Sequence, residues 1–579
     1  MNFLKNILST LIGLFIFSFI AIFLVVGIVS SLSESEKYVL EDNSILHLKL
    51  NKPVTEQEID NPLEEIGAFG ESSSMGLNKL KEVIKNAASD SKIKGIYLEV
   101  EYFIGGMATL SEVRHELVEF KKSGKFIYSY AEYYTEGAYY LASVADKIYL
   151  NPAGQLELNG LSANVTFYKG MFDKFGIEPQ VFRVGEYKSA VEPFIRKDLS
   201  PENELQLTEL LDGLNNKMLA DISESRGIEL PQLKEMSAKM TVREAIDAVE
   251  QKLIDEIIYE DELLANLSSA AEVDEPELVS YKNYKTTFSN YKNTTNKIAV
   301  IVAEGDIVMG KGDENTVGSD KFAKLIREAR KDKSVKAIVM RVNSLGGAFL
   351  ASDVMWREIE LAKKEKPVIA SMGDYATSGG YYLAMPCDTI VAQPNTITGS
   401  IGIFGMLFNF SGLLEDRIGI THDEVATGEY SGILTVTRSL TDAEKSIFQK
   451  SLEQNYDTFV SKAAEGRGMS VEDIKKVASG RVWTGVQAKE NGLIDLLGTY
   501  DDAIQIAAEK AGITDDYKLK YYPESKPFFE KLIQDLEGQA KTSMVKSEVG
   551  ELYPYIKSIE KIKHFEGAQA RFPIEMEIN

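Results

Sequence analysis

Short, nearly unbroken apolar runs alternate with amphipathic stretches along most of the chain, most clearly after residue 297. IAVIVAEG (298–305) predicts a buried strand, the polar stretch to Gly318 a loop, and FAKLIREARKD (322–332) an amphipathic helix. VKAIVMRV (335–342) predicts the next strand. NSLGG (343–347) then reads as a tight glycine turn into the helix FLASDVMWREIELAKKE. The strand PVIASMG (367–373), a short helix after Ser378 that ends at Pro386, and the strand TIVAQ (389–393) follow. Strands that are apolar on both faces, separated by amphipathic helices, predict an α/β protein with mainly parallel sheets covered on both sides.

The same order is written earlier in the chain. ILHLKL (45–50), a helix over 77–88, IKGIYLEV (93–100), a Gly105-Gly106 turn, a helix and KFIYSYAE (125–132) run in parallel with the later copy. YYTEGAYYLASVAD, from Tyr133, aligns with YATSGGYYLAMPCD, from Tyr375, placing Glu136 opposite Ser378 at an offset of 378 − 136 = 242. GEYK (185–188) aligns with GEYS (428–431), placing Lys188 opposite Ser431 at an offset of 431 − 188 = 243. Both copies continue into helices opening at SPENE (200–204) and TDAEK (441–445), with Ser200 and Thr441 as N-caps and Thr441/Glu444 spaced as a capping box. The period predicts a tandem repeat of two similar domains, 37–290 and 291–525, and residues 265–296 read as a terminal strand plus linker. Residues 526–579 read as a C-terminal helical tail without assigned chemistry.

Residues 7–29 form an apolar stretch long enough to span a bilayer as a helix, so 1–36 is expected to be an uncleaved membrane anchor. Lys5 before it and Glu34 and Glu36 after it place the short N-terminus in the cytoplasm and the bulk outside. The net charge is −24, from 88 acidic and 64 basic residues, and no long basic patch is present, which argues against a nucleic-acid partner. Cys387 is the single cysteine, so no intrachain disulfide or cysteine metal site can form; it reads as a small buried side chain. Neither metal-ligand spacing nor a phosphate-binding loop is found, and no cofactor is expected.

The two copies differ where chemistry is possible. Ser378, in Thr377-Ser378-Gly379-Gly380, lies between a strand and a helix start that favours a developing negative charge. The glycine turn Gly346-Gly347 lies one strand earlier, and the Gly347 and Gly379 amides would form an oxyanion hole. A serine hydroxyl needs a base. The four histidines (His47, His115, His422, His564) lie outside any repeated motif, so a Ser-His-Asp triad is not expected. Lys188, flanked by Phe182, Val184, Val191 and Phe194, would serve if burial lowers its pKa from about 10.4 towards 7–8. A lone lysine is ordinarily a solvated surface residue, but its replacement by Ser431 in the other copy points to a specific role. One copy keeps the nucleophile and the other the base.

RVNSLGG (341–347), SMGDYATSGGYYLA (371–384), TGSIGIFG (398–405) and GEYKSAVEPF (from Gly185) resemble the signal peptide peptidase A family, in its long two-repeat bacterial form. That family's fold is shared with ClpP and crotonase, and the resemblance covers about residues 1–525. It implies two ClpP/crotonase-like domains, Ser378 as nucleophile, Lys188 as general base and Ser400 as the group orienting the lysine amine. An oxyanion hole from Gly346, Gly347 and Gly379 goes with it. It further implies a bowl-shaped homotetramer on the outer face of the inner membrane that degrades remnant signal peptides. Leu345 departs from the family, where proline is common in this turn. Two other readings stay open on sequence alone: a crotonase-like acyl-CoA enzyme using only the oxyanion hole, and a non-catalytic membrane scaffold.

Overall fold

The computed structural model describes residues 38–59, 73–289, 292–524 and 568–571, together with residue 10 and residues 12–17. The first half builds a six-stranded, all-parallel sheet in the order Glu256–Ile257, Lys147–Leu156, Phe126–Tyr134, Ile93–Glu99, Ser44–Lys49, Leu278–Ser280. The second half repeats that order with Leu496–Leu497, Thr389–Ala392, Val368–Thr377, Val335–Ser344, Lys297–Glu304 and Lys518–Tyr522, again parallel throughout. Ile397–Gly399 and the antiparallel Val482–Thr484 extend this second sheet beside the C-terminal end of Val368–Thr377. Ile298 to Ala303 are buried without a break, as expected of a strand covered on both faces. The amphipathic helices Ser319–Lys331 and Phe349–Lys363 supply one cover, burying Phe322, Ile326, Met355 and Ile359.

A third, mixed sheet joins the halves. Its order is Thr316–Gly318, Asp306–Val308, Gly346–Ala348, Ala568–Arg571, Ile403–Asn409, Glu178–Val184. Glu178–Val184 comes from the first half and pairs antiparallel with Ile403–Asn409 over seven residues, from Val184↔Ile403 to Glu178↔Asn409. Buried polar contacts fix the same junction. Lys81 Nζ lies 2.5 Å from Glu112 Oε2 and 3.0 Å from Asp501 Oδ2, and Glu112 Oε1 also accepts from Gln393 (2.9 Å) and the Tyr500 amide (2.7 Å). Arg341 Nε donates to Glu56 at 2.9 Å, and Thr109 donates through its amide and hydroxyl to Asp374 at 2.8 and 2.7 Å. Such groups are tolerated inside only when paired, so they hold one relative placement of the halves.

Several elements differ from the sequence expectations. The stretch before Gly318 contains two short parallel strands, Asp306–Val308 and Thr316–Gly318, rather than loop alone. Residues 265–271 continue the helix Glu260–Ala271. Of the tail expected to be helical, the described residues 568–571 form a strand; the others lie outside the described residues. The apolar stretch 7–29 is described only at residue 10 and residues 12–17, which are helical, and among the described residues no helix is long and apolar enough to cross a membrane. Ser200 accepts from the Asn203 amide, and Thr441 forms a capping box with Glu444, at the starts of two 26-residue helices.

Candidate active site

The strand Val368–Thr377 ends at Ser378, which has φ +54° and opens the helix Gly379–Ala384. The Ser378 amide donates to Gly399 O at 2.8 Å and its carbonyl accepts from Tyr382 N at 2.9 Å, but its hydroxyl does not cap the helix. Ser400, with φ +52°, is a second non-glycine residue at positive φ, and its amide donates to Arg481 O at 2.7 Å. Each such conformation costs about 1–3 kcal/mol and persists only when its surroundings dictate it. Here both strained turns aim a hydroxyl at one point.

That point is the amine of Lys188. Its Nζ is 2.8 Å from Ser378 Oγ, 3.0 Å from Ser400 Oγ and 3.1 Å from the Ser400 carbonyl oxygen, and the side chain is fully buried. Burial lowers its pKa well below the ordinary lysine value, and no carboxylate opposes that shift. A neutral amine has two N–H donors and one lone pair. The Ser400 carbonyl can only accept, so it takes one N–H and Ser400 Oγ takes the other. The lone pair is then left for the Ser378 O–H. The three contacts match the two donors and one lone pair of the neutral amine.

Lys188 is carried there by the first half's strand Glu178–Val184, four residues upstream, pinned along Ile403–Asn409. Gln206 Nε2, on the helix Pro201–Arg226, donates to Tyr187 O at 3.2 Å and to Ser189 Oγ at 2.9 Å, and Ser189 Oγ donates to Asn203 at 2.9 Å. The segment 478–481, which sequence reasoning passed over, clamps both sides of the amine. Ser479 O accepts from the Tyr187 amide at 3.0 Å, the Gly480 amide donates to Ile401 O at 2.8 Å, and Arg481 O holds Ser400. A β-carbon at Gly480 would stand 2.6–2.7 Å from the Lys188 N, Cα and Cβ, and its φ is +82°, so only glycine fits. The available signal was a Ser-Gly pair just before the strand Val482–Thr484.

The three glycines expected at an oxyanion hole also converge. Gly346 has φ +98°, and a β-carbon there would fall 2.8 Å from the Gly379 amide nitrogen and strike the Ala570 carbonyl oxygen. The Gly346 amide itself donates to Ser344 Oγ at 3.1 Å, so Gly346 shapes the turn while Gly347 and Gly379 remain the candidate amide donors. Leu345, the departure from the family pattern, packs on the cluster that Leu207, Leu210 and Leu214 of the first half form with Ile397 and Val482, and its carbonyl accepts from Thr377 Oγ1 at 3.1 Å. The turn is therefore restrained without proline.

The opposite positions show no such constellation. Glu136 is buried, accepts from the Gly160 amide at 3.1 Å, and is pushed up to about 7 by burial. Ser431 is exposed in a turn. Each half thus contributes one group to one centre.

A buried hydroxyl facing a buried amine of lowered pKa, beside two glycine turns, is equipped for acyl transfer, and with the two-repeat α/β fold this defines a hydrolase of the serine type. The chain belongs to Peptidase family S49, whose model matches residues 119–274 and 360–514. It is similar to Protease 4 of Salmonella typhi (37% identity, 82% of this chain and 79% of that one) and Protease 4 of Haemophilus influenzae (35%, 80% and 78%). It is also similar to the chloroplastic serine protease SPPA of Arabidopsis thaliana (38%, 79% and 69%). The chain is a serine peptidase of the two-repeat type, and the acyl-CoA and scaffold readings fall with that membership.

Proposed function

We propose that this chain is a membrane-anchored endopeptidase that hydrolyses remnant signal peptides through a Ser378–Lys188 dyad. The observation that carries the reading is the 2.8 Å contact between the Lys188 amine and the Ser378 hydroxyl, both fully buried. The neutral amine takes the Ser378 proton as Oγ attacks the peptide carbonyl. The Gly347 and Gly379 amides receive the developing oxyanion, and the leaving nitrogen takes the proton back from lysine. Water then cleaves the ester with Lys188 again as base. Ser400 holds the amine with its lone pair towards Ser378.

The apolar stretch 7–29 supports an anchor, and the charges around it support an outward-facing catalytic body on the periplasmic side of the inner membrane. An anchored enzyme meets membrane-embedded peptides by lateral diffusion, which fits signal peptides as substrates. A ClpP/crotonase-like ancestry and a homotetramer belong to the same reading. The test places the full chain in lipid vesicles with a synthetic signal peptide and an unrelated soluble peptide. Faster turnover of the membrane-inserted peptide is expected; equal turnover with and without vesicles contradicts the membrane role.

A further inference from the structure

The strand that carries Ser378 does not run straight. Along Val368–Thr377, Met372 pairs with Val342 and Ala376 with Ser344, so residues 373–375 face Asn343 alone and form a bulge. Beyond it, Tyr375, Ala376 and Thr377 pair with Ile397, Thr398 and Gly399, the ladder that sets Ser378 beside Ser400. The bulge therefore decides where the nucleophile stands relative to Ser400 and the amine it touches. Its outer members are tied within the second half. The Tyr375 amide donates to Asn343 Oδ1 at 3.1 Å, and the Gly373 carbonyl accepts from Thr396 Oγ1 at 2.8 Å. Its central residue, Asp374, is tied to the first half instead.

Asp374 is buried, and its two carboxylate oxygens accept from the Thr109 amide at 2.8 Å and from Thr109 Oγ1 at 2.7 Å. Thr109 is the third residue of the helix Met107–Lys121, whose N-cap, Gly106, brings no side chain to the free amides. Asp374 supplies that cap from the other half, with the helix dipole in its favour. A β-carbon at Gly106 would fall 2.2–2.6 Å from the carboxyl group, so the glycine makes its room. The other copy lacks all three parts. At the repeat's offset of 242 (348 − 106, 351 − 109 and 374 − 132), Ala348 stands opposite Gly106, Ala351 opposite Thr109, and the exposed Glu132 opposite Asp374. Three differences between the copies thus fall on one contact, four residues before the nucleophile.

We infer that Asp374 is a positioning residue for Ser378: its contact with Thr109 fixes the bulge, and with it the nucleophile, relative to the half that carries Lys188. This rests on the Ser378–Lys188 reading above. The half that delivers the base also sets the serine, so a chain whose halves are misdocked loses both alignments together.

The test measures turnover of a fluorogenic peptide and the rate of Ser378 capture by an alkyl fluorophosphonate in full-length Thr109→Val, Thr109→Ser, Asp374→Asn and the double variant Thr109→Val/Asp374→Asn. Both rates are taken per folded molecule, well below each Tm. Thr109→Val deletes one hydrogen bond to a charged group and is expected to lower kcat and capture by about 10- to 150-fold, with KM little changed. Thr109→Ser keeps the donor and is expected to restore most of the rate. The double variant is expected to be no slower than the slower single one, as for two ends of one contact. A contact that serves only stability would lower Tm and leave kcat and capture per folded molecule at the wild-type values, and that result overturns the inference. Full multiplication of the two losses overturns it too, as does a Thr109→Ser variant as slow as Thr109→Val. Should Asp374→Asn fail to fold, the comparison of Thr109→Val with Thr109→Ser decides alone. Capture at the wild-type rate in Lys188→Met is a separate result, and it overturns the dyad together with this inference.

Discussion

Lys188 and Ser378 stand 190 residues apart in the chain and 2.8 Å apart in space. The contact exists because the first half lends a strand, Glu178–Val184, to the second half's Ile403–Asn409 and so delivers the amine across the junction. Neither half contains both groups. The positions opposite them in the repeat hold Glu136 and Ser431, so the two halves together present one such pair.

Removing either member of the dyad should remove nearly all activity. Ser378→Ala and Lys188→Met are each expected to lower kcat/KM for a fluorogenic peptide by on the order of 10^4-fold or more, and the double variant should be no worse than either single. Circular dichroism matching wild type separates this from unfolding. Full multiplication of the two losses would mean that the groups act independently.

The lowered pKa of Lys188 fixes the sign of two pH effects. The proposed dyad requires the neutral amine, so activity should rise with pH through an apparent value below that of ordinary lysine and fall away in acid. For stability, the unfolded chain binds a proton at Lys188 over a range where the folded chain does not, so the native state loses stability as pH drops from about 10.4 towards the folded value. Lys188→Met removes that penalty. It should raise Tm at neutral pH, and the gain should shrink as pH approaches about 10.4, measured by differential scanning calorimetry across pH.

Ser400 touches the lysine amine through its hydroxyl and carbonyl, so under the proposed dyad it is a positioning residue. Ser400→Ala leaves the carbonyl contact and deletes the hydroxyl contact to the buried amine. A lost buried hydrogen bond of about 1–3 kcal/mol corresponds to about a 5- to 150-fold fall in kcat. A purely structural role would leave the pH–rate profile in place. The positioning role predicts that the profile shifts, and Ser400→Thr should restore part of the rate.

Gly480 sets the position of Lys188 by leaving room. Gly480→Ala places a methyl 2.6–2.7 Å from the lysine backbone at a positive φ. Displacing the amine by about 1 Å is expected to cost about 100-fold in kcat/KM with KM little changed. Unchanged kcat in a folded Gly480→Ala variant would show that the clamp does not position the base.

Much of this was legible in the sequence because the strands are apolar on both faces, and such runs leave little choice but a covered parallel sheet. IAVIVAEG, VKAIVMRV and ILHLKL all became central strands. Ser378 and Lys188 stood out because the repeat offers an internal comparison, so a serine opposite a glutamate and a lysine opposite a serine are visible without any relative, whereas Ser400 was named only through the family resemblance. What escaped notice lacks periodicity. Glu178–Val184 reads EPQVFRV with a proline at its second position, and its strand state comes from its partner Ile403–Asn409. The Ser479-Gly480 turn is two residues of a loop, and its value arises only from the closeness of Lys188. Ala568–Arg571 is four residues paired on both edges by elements more than 150 positions away, contacts that no local pattern encodes.

The central claim is that an uncharged Lys188 deprotonates Ser378. Its most direct measurement is the pH dependence of covalent capture of Ser378 by an alkyl fluorophosphonate, read by peptide mass spectrometry in wild type and Lys188→Met. The account predicts a single modified serine, Ser378, with a capture rate that rises with pH through an apparent pKa far below 10.4 and is abolished in Lys188→Met. Capture of Ser378 at the wild-type rate in Lys188→Met, or capture of a different serine, would contradict it.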